Sequence, residues 1–524
     1  MGYAGTMLFH TRAILAACLL IPAAFAAEKP LTIVLVVDGL RPDSITSGVM
    51  PNLARLKQQG TWAENSHSVF PTVTRVNSAT IGTGASPAVH GIVSNTMFVA
   101  GVSEKVFDTA EYENLLKLAE ISGGRAVPVQ TLGEALEKAK ISYVAIGSGS
   151  TGAAFLLNPM AAKGTGVLIN GSLGEGKRAA YPDRVDREIQ KRFGIQKADV
   201  GSPSVLWTEK VLREYVLTEL KPRVIIDWIH EPDGTQHRSG PGSPEALAVL
   251  KIVDGEIGLL LAKLKTLGLA EKTNIIVTAD HGFASEPDSA DLAGALKTSG
   301  QADKVTVANN GASAFLYVKN HEAAAISAIT QQLQETDGVD LIFTNSVEPG
   351  PAGVKCEAGK EEGFATGTLA LELINQCRAE HAADVIVTFA WSENKNPFGM
   401  PGLHRVATTE QRRGVAGRAG HGGLNPFMVH TPLILWGPSF RKQATVHAPT
   451  ANSDIAPTIL AIEGMKPLPT MTGRVLAEAF ARPAAKEPEV KTRTVKVNTE
   501  GYCAEVQLTT AGKTTYIDSG KRCP

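Results

Sequence analysis

The stretch LTIVLVVDG, Leu31 to Gly39, is an almost unbroken β-branched run that stops abruptly at an acidic residue and a glycine. A strand with one wet face alternates apolar and polar residues, whereas one without polar positions is buried on both faces, as in a parallel sheet covered by helices. The same grammar recurs twice. VIIDWI (Val224 to Ile229) precedes Glu231, Pro232 and Asp233, and NIIVTA (Asn274 to Ala279) precedes Asp280, His281 and Gly282. Three apolar strands therefore deliver carboxylates at their C-terminal ends, the edge where ligands bind in open α/β sheets. YVAIG (Tyr143 to Gly147), AFLYV (Ala314 to Val318), VIVTFA (Val385 to Ala390) and PLILWG (Pro432 to Gly437) read as further strands.

Helical stretches with readable starts lie between them. Thr131 caps LGEALEKAK, Ser243 and Pro244 open a long apolar-periodic segment, and PNLARLKQQG (Pro51 to Gly60) is a short amphipathic helix. This alternation predicts an α/β fold: a doubly wound, mostly parallel sheet with helices on both faces. Two regions break it. Gln301 to Arg418 is longer than a crossover needs and reads as a cap insertion beside the ligand edge, with a Gly- and Arg-rich loop from Asn394 to Arg418. Residues 481–491 have linker composition, and residues 492–524 alternate around Ala511 and Gly512 like a small β-hairpin. The remainder, 27–480, is the expected catalytic domain.

Residues 1–26 read as an export signal: Arg12, an apolar run from Ala13 to Ala24, and the small-residue site Ala24-Phe25-Ala26. Leu15 to Cys18 resembles a lipoprotein box but lies too close to Arg12, so soluble export to a periplasm or medium ranks above lipidation. No later run approaches the ~20 apolar residues of a membrane helix. A formal net charge of −1 leaves no basic footprint for a stable nucleic-acid partner. Four cysteines outside the signal form two sequence-local pairs, so disulfides Cys356–Cys377 and Cys503–Cys523 are the favoured reading in an exported chain.

FPTVTRVNSATIGTG, Phe70 to Gly84, passes from an extended, Pro-containing half to a small-residue half suited to a closely packed helix. Thr74 sits at that junction, where free N–H groups and the positive end of the dipole favour an anion. It is the candidate nucleophile. Around it in the strand-end motifs stand Asp38, Asp233 and His237 (DGTQH), Asp280 and His281 (ADHG), and His421 (GHGG). Singly, each reads as an ordinary turn or loop residue. Together, six carboxylate and imidazole donors with a threonine oxygen suit two zinc ions rather than one.

VVDGLR, MPNLARL, FPTVT, TGASPAVHGIVSN, EPDGTQHRSGP, TADHG, GHGG and DIAPTIL occur in this order between Thr32 and about Met465. In order and content they resemble the alkaline phosphatase superfamily, and within it the type I phosphodiesterase/nucleotide pyrophosphatase family. The resemblance implies Thr74 as nucleophile. It implies one zinc held by Asp38, Asp280, His281 and Thr74, and a second held by Asp233, His237 and His421. Asn95 would be a hydrogen-bond donor to a phosphoryl oxygen. His90 and Glu231 fall inside the motifs and read as structural.

The implied activity is hydrolysis of a small phosphorylated substrate, nucleotides included, at a diester or pyrophosphate bond through a phospho-threonine. The run after the nucleophile departs from the nucleotide-cleaving pattern. Arg75-Val76-Asn77-Ser78 replaces an aromatic residue, Pro and Asn-His, so Arg75 is a candidate contact to a phosphate oxygen. A phosphomonoesterase or phosphonate hydrolase on the same scaffold is the alternative. A metal-stabilised binding protein without catalysis ranks below both.

Overall fold

Leu31–Val37 forms a strand inside a ten-stranded sheet. In the computed structural model, residues 1–2, 29–171, 178, 180–194, 202–350, 357, 359–378, 381–408, 418–483 and 485–523 are described. The apolar run and cleavage site of the expected export signal, Cys18, Cys356 and part of the Gly- and Arg-rich loop lie outside them. Thr273–Thr278 pairs in parallel with one side of the first strand and Val224–Ile229 with the other. Tyr143–Gly147 and Val167–Asn170 continue the parallel array. On the opposite flank His430–Trp436 runs antiparallel to both Thr273–Thr278 and Thr61–His67, so the sheet is mostly, not wholly, parallel.

Side-chain alternation explains why LTIVLVV has no polar face and only one polar residue, Thr32. Ile33, Leu35 and Val37 enter one core with Leu53 and Leu56 of helix Pro51–Gln59 and Leu250, Val253 and Ile257 of helix Pro244–Thr266. Val34 and Val36 enter the other with Leu132 and Leu136 of helix Leu132–Lys138 and Ile459 of helix Ile455–Ile462. Each such side chain contributes about 1.5–3 kcal/mol on burial, so a polar residue on either face would forfeit stability. The helix starts are capped as their sequences dictate. Ser243 Oγ accepts from the Ala246 N–H, and Thr131 and Glu134 form a reciprocal capping box.

A second, five-stranded sheet holds AFLYV and VIVTFA in strands Ser313–Val318 and Val385–Phe389, in an otherwise antiparallel order with one parallel edge pair. A four-stranded sheet joins Ala284–Ala290 to Trp391–Lys395, Pro401–Ala407 and Ala419–Gly420. The excursion from the central sheet thus recruits chain upstream of Gln301.

At the C-terminus the structure has three strands where the sequence reading expects a two-stranded hairpin: Val490–Thr499, Tyr502–Ala511 and Thr514–Arg522. Val490, in the stretch read as linker, already pairs with Ala511. The chain reverses at Glu500 and Gly501 as well as at Gly512, and the alternation runs on across the first turn, so its period alone merges two strands. Val495, Val497, Tyr502, Val506 and Leu508 share one core with Phe315 and Phe343 of the second sheet. Cys503 and Cys523 are disulfide-bonded, closing the last two strands, and Cys377 is also disulfide-bonded. No helix among the described residues is long and apolar enough to cross a membrane.

Candidate functional site

Register brings the acidic strand ends together. Val37 is level with Ile229, and Val36 with Thr278, so three adjacent strands finish flush and bring Asp38, Asp233 and Asp280, all buried, to one edge. Two backbone bonds and one to a side chain tie the ends: the Asp38 N–H donates to the Ile229 carbonyl (2.9 Å), the Asp233 N–H to the Asp38 carbonyl (3.1 Å), and the Gly39 N–H to the carboxylate Oδ1 of Asp280 (3.0 Å). Gly39 has φ 71°, and a Cβ there would lie 2.9 Å from the Phe283 ring, so both conformation and space demand glycine. His237 projects from helix Asp233–Ser239, and His421 follows the short strand Ala419–Gly420 of the four-stranded sheet. Gly422 lets that loop approach, since a Cβ there would fall 2.0 Å from the Asn310 carbonyl oxygen.

All three imidazoles are oriented in the same way. Nδ1–H of His281 donates to the Gly282 carbonyl (3.0 Å), that of His421 to Thr72 (2.8 Å) and that of His237 to Ala419 (2.9 Å). A carbonyl only accepts, so Nδ1 carries a proton in each ring, and in the neutral imidazole Nε2 then offers its lone pair; against the effect of burial, Asp233 raises the pKa of His237 and so favours a second proton there until a cation displaces it. These Nε2 atoms face one another and the carboxylates. His237 is 3.2 Å from His421, both are within 3.5 Å of Asp233 Oδ1, and His281 lies 3.1 Å from Asp280 Oδ2 and 3.5 Å from Asp38 Oδ1. Asp38 Oδ1, Asp233 Oδ1 and Asp280 Oδ2 are buried without a hydrogen-bond partner.

Burial, reinforced by Asp233, pushes the Asp38 carboxyl well above its ordinary range. Burial and the charge of Asp38 do the same to Asp280, and burial with two neighbouring histidines drives His421 well down. Lone pairs and carboxylates crowded in this way repel unless cations lie between them, and the set of hard and borderline donors fits a metal. Two sets of three offer donor atoms within 4.8 Å of one another: Asp38, Asp280 and His281; and Asp233, His281 and His421. A third contains Asp38, Asp233 and His230, a residue the sequence reading missed. It stands in WIHEPD beside residues that were singled out, but no spacing rule separates it from an ordinary loop histidine.

Thr74 is the first residue of helix Thr74–Thr83, and its Oγ1 lies 3.4 Å from His281 Nε2. Asn95 Oδ1 accepts the Arg75 N–H (2.9 Å), which anchors the carbonyl end of the amide beside the nucleophile. The Arg75 guanidinium meets Asp108 at 3.2 Å. His90 is fully buried between Thr80 and the Ile92 N–H, and Glu231 accepts from the backbone and hydroxyl of Thr235, so both brace the scaffold.

A family model described as type I phosphodiesterase/nucleotide pyrophosphatase matches residues 32–348. Human ectonucleotide pyrophosphatase/phosphodiesterase family member 1 is 29% identical over 268 residues, 50% of this chain and 24% of that protein. Venom phosphodiesterase CdcPDE of Crotalus durissus collilineatus is 30% identical over 265 residues, 50% of this chain and 27% of the venom protein. The matched region thus spans about a quarter of the length of these curated relatives. The solved structure of murine ectonucleotide pyrophosphatase/phosphodiesterase 5 shares the fold with a TM-score of 0.57 at 17% identity, covering 84% of this chain and 96% of that one.

Proposed function

Because the chain belongs to the type I phosphodiesterase/nucleotide pyrophosphatase family, we propose that it is an exported, metal-dependent hydrolase of phosphodiester or pyrophosphate bonds, acting through Thr74. The observation that carries this reading is the convergence of three Nε2 lone pairs and three orphaned carboxylate oxygens beside the Thr74 hydroxyl. Asp38, Asp280 and His281 with Thr74 would hold one zinc ion, and Asp233, His237 and His421 the other. Bound there, the two ions would supply a lowered pKa for hydroxyl and water and a neutralising charge for the phosphoryl oxygens.

The chain's own groups do the rest. Thr74 Oγ1 forms the bond to phosphorus while the bond to the leaving oxygen breaks, and the leaving group departs as an alcohol or phosphate. Water then displaces Thr74 from phosphorus, releasing the monoester and returning the proton to the hydroxyl. The N-terminus of helix Thr74–Thr83 favours the alkoxide, and the Asn95 amide donates to a non-bridging oxygen. Arg75 is held by Asp108, which leaves neutral Asn95 as the assigned phosphoryl donor and favours the diester. A monoesterase or phosphonate hydrolase is the second reading, supported by the closeness of the Arg75 charge to Asp38.

The region from about 301 to 418 is assigned as a cap on a catalytic domain over 27–480. The Cys503–Cys523 disulfide supports export to a periplasm or the medium. Purified protein assayed on paired p-nitrophenyl mono- and diesters, with a zinc determination, tests the function. Diester preference and about two zinc ions per chain are expected. Dominant monoester turnover, or no turnover by the metal-loaded protein, would overturn it.

A further inference from the structure

The opposite end of the central sheet carries a second feature that the chemistry at Thr74 does not use. A cavity of about 840 Å³ opens where the parallel strands begin, lined by Lys29, Lys140, Lys221, Arg223 and Lys272. Each stands at the start of one of four adjacent strands. Lys272 precedes Thr273–Thr278, Lys29 precedes Leu31–Val37, Lys221 and Arg223 precede Val224–Ile229, and Lys140 precedes Tyr143–Gly147. These strands are neighbours in that order, and their register sets their starts level. At about 4.8 Å per strand, the cations form a row on the order of 14 Å long. Among the described lining residues Glu463 is the one carboxylate, and it is engaged by Lys29.

Basic residues at the ends of helices are common because they offset the negative end of the dipole, and Lys221 is the C-cap of helix Leu212–Leu220. That role accounts for Lys221 and for Lys272, which closes the short helix Ala270–Lys272. It does not account for Lys29, Lys140 and Arg223 lining the same cavity. Nor does it account for the floor between them, where Leu31, Ile141, Leu217, Leu269 and Met465 line the same space. Leu267 on its rim is 37% exposed. A wholly hydrophilic anion has no use for such a floor, whereas an anionic amphiphile matches both parts.

We propose that this groove binds the phosphate headgroup of an anionic phospholipid, its phosphate against the cation row and its glycerol and first acyl carbons on the apolar floor. The protein would thereby dock on an anionic membrane surface with the Thr74 edge facing away from it. Each basic residue near such a surface strengthens binding about fivefold, so removing three should weaken it on the order of 100-fold.

The test is flotation of the exported protein with phosphatidylglycerol/phosphatidylcholine vesicles against phosphatidylcholine alone, at low and high salt, for the unaltered chain and for Lys140→Gln/Lys221→Gln/Lys272→Gln. Binding that needs phosphatidylglycerol, falls with salt and drops about 100-fold in the triple variant, with ester turnover unchanged, is expected. If the triple variant loses turnover through misfolding, acylation of the groove lysines in the unaltered protein replaces it, and protection by anionic vesicles alone is the supporting result. Equal binding to both vesicle types, an unaffected triple variant, absence of protection, or occupancy by soluble glycerol 3-phosphate without vesicle binding would overturn the proposal and leave these lysines as helix-end charges.

Discussion

Asp227 offers a quantitative test of the central sheet. It lies in the middle of Val224–Ile229, level with Leu35 and Ile146 on the two neighbouring strands, and is fully buried. Glu209, on helix Ser202–Val211, is 1% exposed beside it, and apart from a proton held between the two carboxyls none of their four oxygens has a hydrogen-bond donor. Burial raises the Asp227 carboxyl from 3.8 to about 7, with Glu209 and Arg213 opposing the rise. Burial and Asp227 together raise Glu209 well above its ordinary value, against Arg213 and with Glu256. A carboxyl whose folded pKa is raised binds its proton more tightly folded than unfolded. The stability it contributes is therefore complete below about pH 4 and is lost as pH rises toward 7.

A rise of about 3 units corresponds to about 4 kcal/mol at full ionisation, and sharing of one proton with Glu209 reduces what a single substitution recovers to about 2–4 kcal/mol. Asp227→Asn cannot ionise, and its amide can donate to Glu209. Urea unfolding of the metal-loaded protein and the variant at pH 4.5, 6 and 8 should show the smallest advantage for the variant, about 1 kcal/mol, at the lowest pH and a growing one above it. A variant destabilised equally at all three pH values would refute the reasoning, because it would mean that Asp227 is ionised and satisfied in the native state.

Three other outcomes follow from the site and its supports. Thr74→Ala should abolish turnover of every substrate, whereas Arg75→Ala should keep diester cleavage within about tenfold, a ~1.4 kcal/mol change in barrier, since Asp108 already holds the guanidinium; loss of a dominant monoesterase activity in steady-state assays of Arg75→Ala would favour the second reading. Chelation should remove activity and lower the thermal midpoint together, with zinc restoring both, because the orphaned Asp38, Asp233 and Asp280 oxygens lose their counter-charge; a midpoint unmoved by chelation in a calorimetric scan would contradict this. Cys503→Ser/Cys523→Ser should cost about 3 kcal/mol in denaturant unfolding, the chain-entropy value for a ring of this size, and an unchanged midpoint would mean that the shared core with the second sheet already holds the last strands.

LTIVLVV, VIIDWI and NIIVTA were legible as doubly buried strands because their burial on two faces is written as a run of mostly apolar residues with no polar alternation, Asp227 being the one charged exception. Their terminal Asp38, Asp233 and Asp280 were legible as one edge because parallel strands must end on the same side. Ser243 and Thr131 announced their helices through local capping chemistry that depends on only a few neighbouring residues. Only the folded chain decided the remainder. His230 joins Asp38 and Asp233 across strands, and no local signal marks which loop histidine a register will bring to an edge. The Asp108 partner of Arg75, 33 residues away, and the carbonyls of Ala419 and Thr72 that orient His237 and His421 are likewise products of tertiary approach, whereas His281 is oriented by the carbonyl of its own neighbour Gly282. The third C-terminal strand escaped because a period of two survives a tight turn, so alternation alone does not mark a reversal. Periodicity and capping act over a few residues and can be read along the chain; charge crowding and the burial of Glu209 against Asp227 depend on what the fold places alongside, and that is set only when the sheet and its helices close.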